Sequence, residues 1–327
     1  MRVGFLPFYS QQSKRTGLFL QRTCGNVKQL AYLAHALQMS GVYTAALAPR
    51  DAADITPFPA ARCAWMPIQN PLQRLHWDLQ TLERCFDDCD VIVTNSEYMA
   101  IPLRKLFLRK RLIQMCNVAA DSELFKPAWQ AADLVVAQGQ YAAGQIQLNT
   151  NTRTTFWPLA YVELDFAAAL PLQRDIDVVF LQRCSADNST HHEDYLRTMQ
   201  HRTVFTDVTC FLRKQRGDLE YSTPKTYIET LHRSRVAVSM HRSWYGGMSI
   251  REAIRAGCVP VTLRTPAYEE LLGPKWPYYC TPASVESAVY RALWEPAPQL
   301  PDVRGESFQA GCAKALKDIR ASSTRRA

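Results

Sequence analysis

The residues whose types and spacing best suit chemistry in this 327-residue chain lie in VAVSMHRSWYGGMSIREAIRAGCVPVTLRTPAYEELLG, residues 236 to 273. The pattern predicts a strand ending near Met240, a turn carrying Gly246 and Gly247, a helix from about Met248 to Ala256, a stop at Gly257 and a further strand over Val259 to Leu263. Glycines ahead of a helix let backbone amides approach a ligand, and the helix N-terminus adds partial positive charge. Such a turn is a ready cradle for a diphosphate. Met248 and Ser249 open the helix. Glu252 lies one helical turn further in, on the face of the amides of Gly247 to Ser249 and within reach of a nucleoside ribose. His241 and Arg242 stand at the strand end, where both could contact phosphate and His241 could equally serve as another hydrogen-bonding group. From spacing alone a plainer reading stays open: the glycines only make a tight turn, and Glu252 caps or solvates the helix.

Around this segment, short apolar runs alternate with amphipathic ones. RVGFL, YTAALA, VIVTN, RLIQMC and LVVAQ fill the first half, and DVVFLQ, RTVFT, VAVSM and VPVTL the second. Strand-helix-strand alternation of this kind predicts parallel sheets covered on both faces. The expected fold class is α/β, with two Rossmann-like doubly wound domains facing a cleft. The expected domains are 1–165 and 166–305, the second carrying the Gly-rich turn, with 306–327 a C-terminal helix and basic tail. The strand-helix rhythm lapses in FWPLAYVELDFAAALPLQRDID, so the boundary is expected near residues 157 to 174.

Asn26 to Gln38 reads as the first helix, with Asn26 as N-cap and Val27, Leu30, Leu33, Ala34 and Leu37 on one stripe. The loop before it, Pro7 to Gly25, is longer than the usual βα connection of roughly 2 to 6 residues. It reads as a functional excursion over the strand ends or as an insertion. CDVIVTNSEYMAIPLRKL and ADLVVAQGQYAAGQIQL share one layout of Asp, strand, polar turn and helix, and are expected to be successive units of the first domain.

The formal charge of +8 favours a polyanionic partner such as nucleic acid, an anionic membrane surface or a nucleotide. The excess concentrates in Arg104, Lys105, Arg109, Lys110 and Arg111, in Arg213, Lys214 and Arg216, and in the tail Arg320, Arg325 and Arg326. Any one cluster also reads as a solvated helix face. No apolar run approaches the roughly 18 residues that span a bilayer, and the apolar segment at the N-terminus is too short for a signal-peptide core. A cytoplasmic, unprocessed protein is expected. The ten cysteines are scattered without paired CxxC spacing and read as reduced structural thiols. Cys85 and Cys89 sit four apart on a predicted helix, but no His or second Cys pair accompanies them, so no metal site is expected.

The layout of residues 247 to 261 resembles the donor site of GT-B-fold glycosyltransferases, in which a Gly-rich turn precedes a helix bearing a ribose-binding Glu. An Ala, a Gly and a Pro-Val strand start follow. The matching residues are Gly247, Glu252, Ala253, Gly257, Pro260 and Val261. DVVFLQR is similar to the first strand of the second domain and puts Arg183 where a diphosphate-binding Arg often sits. The specific match covers the last third of the chain. In many retaining members a further Glu lies eight residues before the ribose Glu; here that place holds Trp244.

The resemblance implies transfer of a sugar from a nucleotide-sugar donor, a UDP-sugar first, with no required cofactor and room for Mg²⁺. It also implies a base from the first domain at strand ends facing the donor, for which Glu97 and Asp121 are the candidates. Either also reads as a capping or surface acid. By size and charge the chain is similar to compact phage DNA glycosyltransferases. The first expected acceptor is therefore a modified base such as 5-hydroxymethylcytosine in double-stranded DNA, met in the host cytoplasm. Lys14, Arg15, Arg109, Lys110 and Arg111 would then face DNA. The alternatives are a lipid-linked or surface polysaccharide acceptor, and a noncatalytic nucleic-acid-binding protein on the same scaffold.

Overall fold

The first apolar runs build one sheet because β-branched and aromatic residues pack well on both faces of a pleated strand. The computed structural model describes residues 1–6, 30, 33–34, 36–49, 62–66, 79–95, 97–116, 123–137, 139–157, 173–182, 203–207, 212–215, 218–221, 224–240, 248–303 and 305–323. Its strands β1 (Arg2–Leu6), β2 (Tyr43–Pro49), β3 (Arg62–Met66), β4 (Val91–Thr94), β5 (Arg111–Met115), β6 (Leu134–Ala137) and β7 (Thr154–Phe156) lie in the order β3-β2-β1-β4-β5-β6-β7. Every pairing is parallel.

Burial alternates along the strands. Val91 and Val93 share one core with Leu30, Leu33, Ala34 and Leu37 of the helix α1, whose described residues are 30, 33, 34 and 36–39. Ile92 faces the other core, with Leu82 and Phe86 of α2 (Leu79–Phe86) and Met99, Ala100 and Leu103 of α3 (Glu97–Leu106). The two strand-turn-helix segments of similar layout are β4–α3 and β6–α5 (Gln140–Thr150). They are not successive, because β5 and the short α4 (Lys126–Ala131) lie between them.

The second sheet contains β8 (Ile176–Gln182), β9 (Thr203–Asp207), β10 (Leu212–Gln215), β11 (Asp218–Tyr221), β12 (Ser234–Ser239), β13 (Val259–Leu263) and β14 (Tyr279–Cys280), ordered β11-β10-β9-β8-β12-β13-β14. Its helices are α6 (Pro224–Arg233), α7 (Met248–Arg255), α8 (Pro266–Leu272) and α9 (Val285–Trp294). From β9 through β8 and β12 to β14 the pairing is parallel, but β10 runs antiparallel to both β9 and β11. A parallel return needs a crossover of a dozen or more residues. Only residues 208–211 and 216–217 separate these strands, so hairpins form instead. Arg213 and Lys214 accordingly lie on β10 and not on a helix.

The chain divides into two compact units, Met1–Tyr161 with Glu306–Ala327, and Val162–Gly305. The last helix, α10 (Gly305–Ser323), buries Ala315 and Ile319 in the α1 face of the first unit's core. Asp318 accepts a hydrogen bond from Trp157 Nε1 at 2.9 Å, and Lys314 Nζ donates to the Phe156 carbonyl at 2.6 Å. Among the described residues no helix is long and apolar enough to cross a membrane.

Candidate active site

In each sheet the strand order reverses direction beside the first strand of the unit, at β1/β4 and at β8/β12. In open α/β sheets ligands bind outside the carboxyl ends of the strands at such a switch point. In the second unit this places the site at the end of β12, where α7 begins. Val236 and Val238 face one core while Ala237 faces the other, leaving Ser239 as the last, buried residue of β12.

The helix α7 is held to the sheet by Ile250, Ala253 and Ala256, which join Ala237, Cys258 and Tyr268 in one apolar cluster. Glu252, only 7% exposed, rides on this helix within its second turn, and Ser249 in its first turn is half-buried. A carboxylate at this edge of the sheet suits a ligand that presents hydroxyl donors. On the same helix Arg251 is half-buried. Desolvation pulls its guanidinium down to about 10 against the opposing influence of Glu270, so it stays charged at neutral pH.

The helix ends where Gly257 predicts. Gly257 N donates to the Ile254 carbonyl at 2.9 Å and Cys258 N to the Ala253 carbonyl at 2.9 Å, with Gly257 at φ 83°. This is the Schellman arrangement, in which a left-handed residue lets the chain turn off the helix while its last carbonyls remain satisfied. Arg174 completes the cap. Its Nη2 donates to the Ala256 carbonyl at 3.0 Å, and its Nη1 donates to those of Gly257 at 2.7 Å and Ser234 at 3.0 Å. A fixed cation here also suits the negative end of the helix dipole. No local pattern marks Arg174 for this role, because its partners lie about 60 and 80 residues further on in the chain.

In the first unit, Glu97 is the first residue of α3, directly beyond the end of β4, and is 6% exposed. Its neighbours at that edge are also buried and polar: Thr94, whose Oγ1 donates to the Leu6 carbonyl at 2.9 Å, and Asn95. In open α/β sheets this edge is the one at which ligands bind.

The basic residues 104 to 111 have a different setting. Arg104 donates to the Ala131 carbonyl at 2.8 Å, to the Lys110 carbonyl at 3.1 Å and to Asp133 at 2.5 Å. Lys110 Nζ donates to the carbonyls of Cys89, at 2.9 Å, and Asp87. Arg111 starts β5 and is half-buried, while Arg109 is exposed. These residues sit at the amino end of the sheet, opposite the edge that carries Glu97. Arg104 and Lys110 thus staple strand starts together, while Lys105 and Arg109 are exposed.

Arg183, His241, Arg242, Trp244, Gly246, Gly247, Asp121, Lys14 and Arg15 lie outside the described residues, as does the side chain of Met248. Among the described residues no group of three or more His, Cys, Asp or Glu comes together that would hold a metal ion. Cys85 and Cys89 are core residues. Burial first, and then Asp88, pushes the Cys89 thiol up to about 12.

No protein-family profile matches the sequence, and no curated protein matches it at the level of sequence. Solved structures do match in three dimensions. HepE of Anabaena in complex with UDP-glucose superposes with a TM-score of 0.64 at 14% identity, covering 97% of this chain and 100% of that one. The lipopolysaccharide outer core galactosyltransferase WaaB, in its apo form, gives 0.60 at 10% identity over 98% and 100%. A putative UDP-N-acetylglucosamine 2-epimerase of Listeria monocytogenes gives 0.61 at 10% over 100% and 97%. Likeness at these identities defines a fold class, and that class is the GT-B fold of two Rossmann-like domains.

Proposed function

We propose that this chain is a Leloir-type glycosyltransferase that binds a UDP-sugar on the second unit and moves the sugar to a hydroxyl of a saccharide acceptor. The observation that carries the reading is Glu252, a nearly buried carboxylate on a sheet-anchored helix at the switch point of the second sheet. In this reading Glu252 accepts hydrogen bonds from the ribose hydroxyls, and the first amides of α7 face the diphosphate. The acceptor oxygen attacks the anomeric carbon, the bond from that carbon to the diphosphate oxygen breaks, and UDP leaves with the electron pair. A general base takes the acceptor proton, and Glu97 is the candidate in the first unit. Structural neighbours bound to UDP-glucose or named for a lipopolysaccharide core support the donor and the saccharide class. The net charge of +8 suits a polyanionic partner, and DNA carrying a hydroxymethylated base is the acceptor of the second reading. Of the residues expected to face DNA, Lys110 is bonded to the carbonyls of Asp87 and Cys89, while Arg109 is exposed.

Two measurements test the proposal. Calorimetric titration with UDP and UDP-glucose should show binding that Glu252→Ala weakens about ten- to a hundredfold, the loss of a charged hydrogen bond of about 1.5 to 3 kcal/mol. Radiolabelled UDP-glucose is then offered with lipopolysaccharide core oligosaccharide and, separately, with hydroxymethylcytosine DNA. Label on the oligosaccharide supports the saccharide reading, label on DNA alone transfers the assignment to DNA, and absence of nucleotide binding sinks the transferase.

A further inference from the structure

Two buried hydroxyls meet beneath α7. Ser239, the last residue of β12, and Tyr268 of α8 place Oγ and Oη 2.8 Å apart, with 2% and 1% of their surfaces exposed. Tyr268 also belongs to the apolar cluster that contains Ile250 and Ala253 of α7. One side chain from α8 therefore bonds the strand that leads into the candidate site and packs in the layer under the helix that carries its carboxylate.

We propose that Tyr268 is a positioning residue for nucleotide-sugar binding: through Ser239 it fixes the end of β12 relative to the turns of α7 that carry Ser249 and Glu252. The inference rests on the reading of α7 as the donor helix. Packing alone explains an aromatic ring at 268, and Phe would supply it without the cost of burying a hydroxyl. The hydroxyl is instead matched to a second buried hydroxyl at the point where the strand stops and the ligand edge begins. A binding site needs its groups held within a fraction of an ångström, and this bond sets one such distance. Burial pushes the phenol up to about 12, with the Ser239 bond opposing, so the O–H stays intact and the bond is independent of pH over the physiological range.

The test compares UDP affinity with thermal stability in full-length protein. Tyr268→Phe and Ser239→Ala should each weaken UDP binding by roughly three- to tenfold, and the double variant should be no weaker than the worse single, because both remove one bond. Ser239→Thr, which keeps a hydroxyl, should recover most of the affinity. Val238→Ala, on the opposite face of the same strand, supplies the structural baseline: a lower Tm with unchanged UDP affinity. UDP affinity unchanged in Tyr268→Phe, or losses that add in the double variant, would overturn the positioning role while leaving the donor site standing. A wild-type chain that binds no UDP removes the donor site and this role together.

Discussion

His232 shows how a single residue of this chain couples to its surroundings. It lies near the end of α6, and desolvation, followed by the charges of Arg174 and Arg255, lowers its pKa below the ordinary 6.5. Above pH 6.5 the imidazole is neutral in both folded and unfolded chains and has no effect on the balance. As pH falls through 6.5 the unfolded chain takes up the proton and the folded one resists it, so stability drops on the acid side. Replacing His232 with Gln should flatten the pH dependence of urea unfolding on the acid side of the ordinary imidazole value of 6.5; an unaltered slope would show that other groups carry it. The buried thiol of Cys258 belongs to the same corner. Burial pushes it up to about 12, and its Sγ donates to the Leu231 carbonyl at 3.1 Å, so it acts as a packing residue and not a nucleophile.

At the scale of the element, α7 depends on both its ends. Its C-terminus is the better defined, since Gly257 adopts a left-handed conformation and an added Cβ there would collide with Nη2 of Arg174. Gly257→Ala therefore combines backbone strain with displacement of the cap, and chemical denaturation should show a loss of about 1 to 3 kcal/mol. A change under about 0.5 kcal/mol would mean that the turn relaxes without cost. The stop at Gly257 is legible in the sequence because a left-handed cap has one preferred residue. Arg174 is not legible, because nothing in its neighbourhood says which carbonyls it reaches. The antiparallel edge was likewise hidden: LRKQ and DLEY carry no apolar run, and the direction of β10 and β11 follows from connection length and pairing.

For the whole molecule, the informative feature is the return of α10 to the first unit. Residues 306–327 follow the second unit in sequence, yet Ala315 and Ile319 are fully buried among Leu30, Leu33 and Trp157. Ile319→Ala should cost about 2 to 5 kcal/mol, as for other large-to-small changes in a well-packed core. Urea denaturation followed through Trp157, which bonds Asp318 directly, would register it, and a neutral result would place the helix outside the folding unit.

By itself the sequence determined the Rossmann-like rhythm of both halves, the strand-turn-helix around residues 236 to 263 and the candidacy of Glu252 and Glu97. These rest on local periodicity and on residue types with narrow conformational preferences, which act over a few residues. Tertiary structure alone decided that Arg104 and Lys110 staple strand starts, that Arg174 caps α7, that Tyr268 bonds Ser239, and that the last helix belongs to the first core. Each of these depends on which distant carbonyl or hydroxyl the fold brings within about 3 Å of a side chain. A charge run such as 104 to 111 reads the same in sequence whether it faces solvent or its own backbone; only the packed chain sets which.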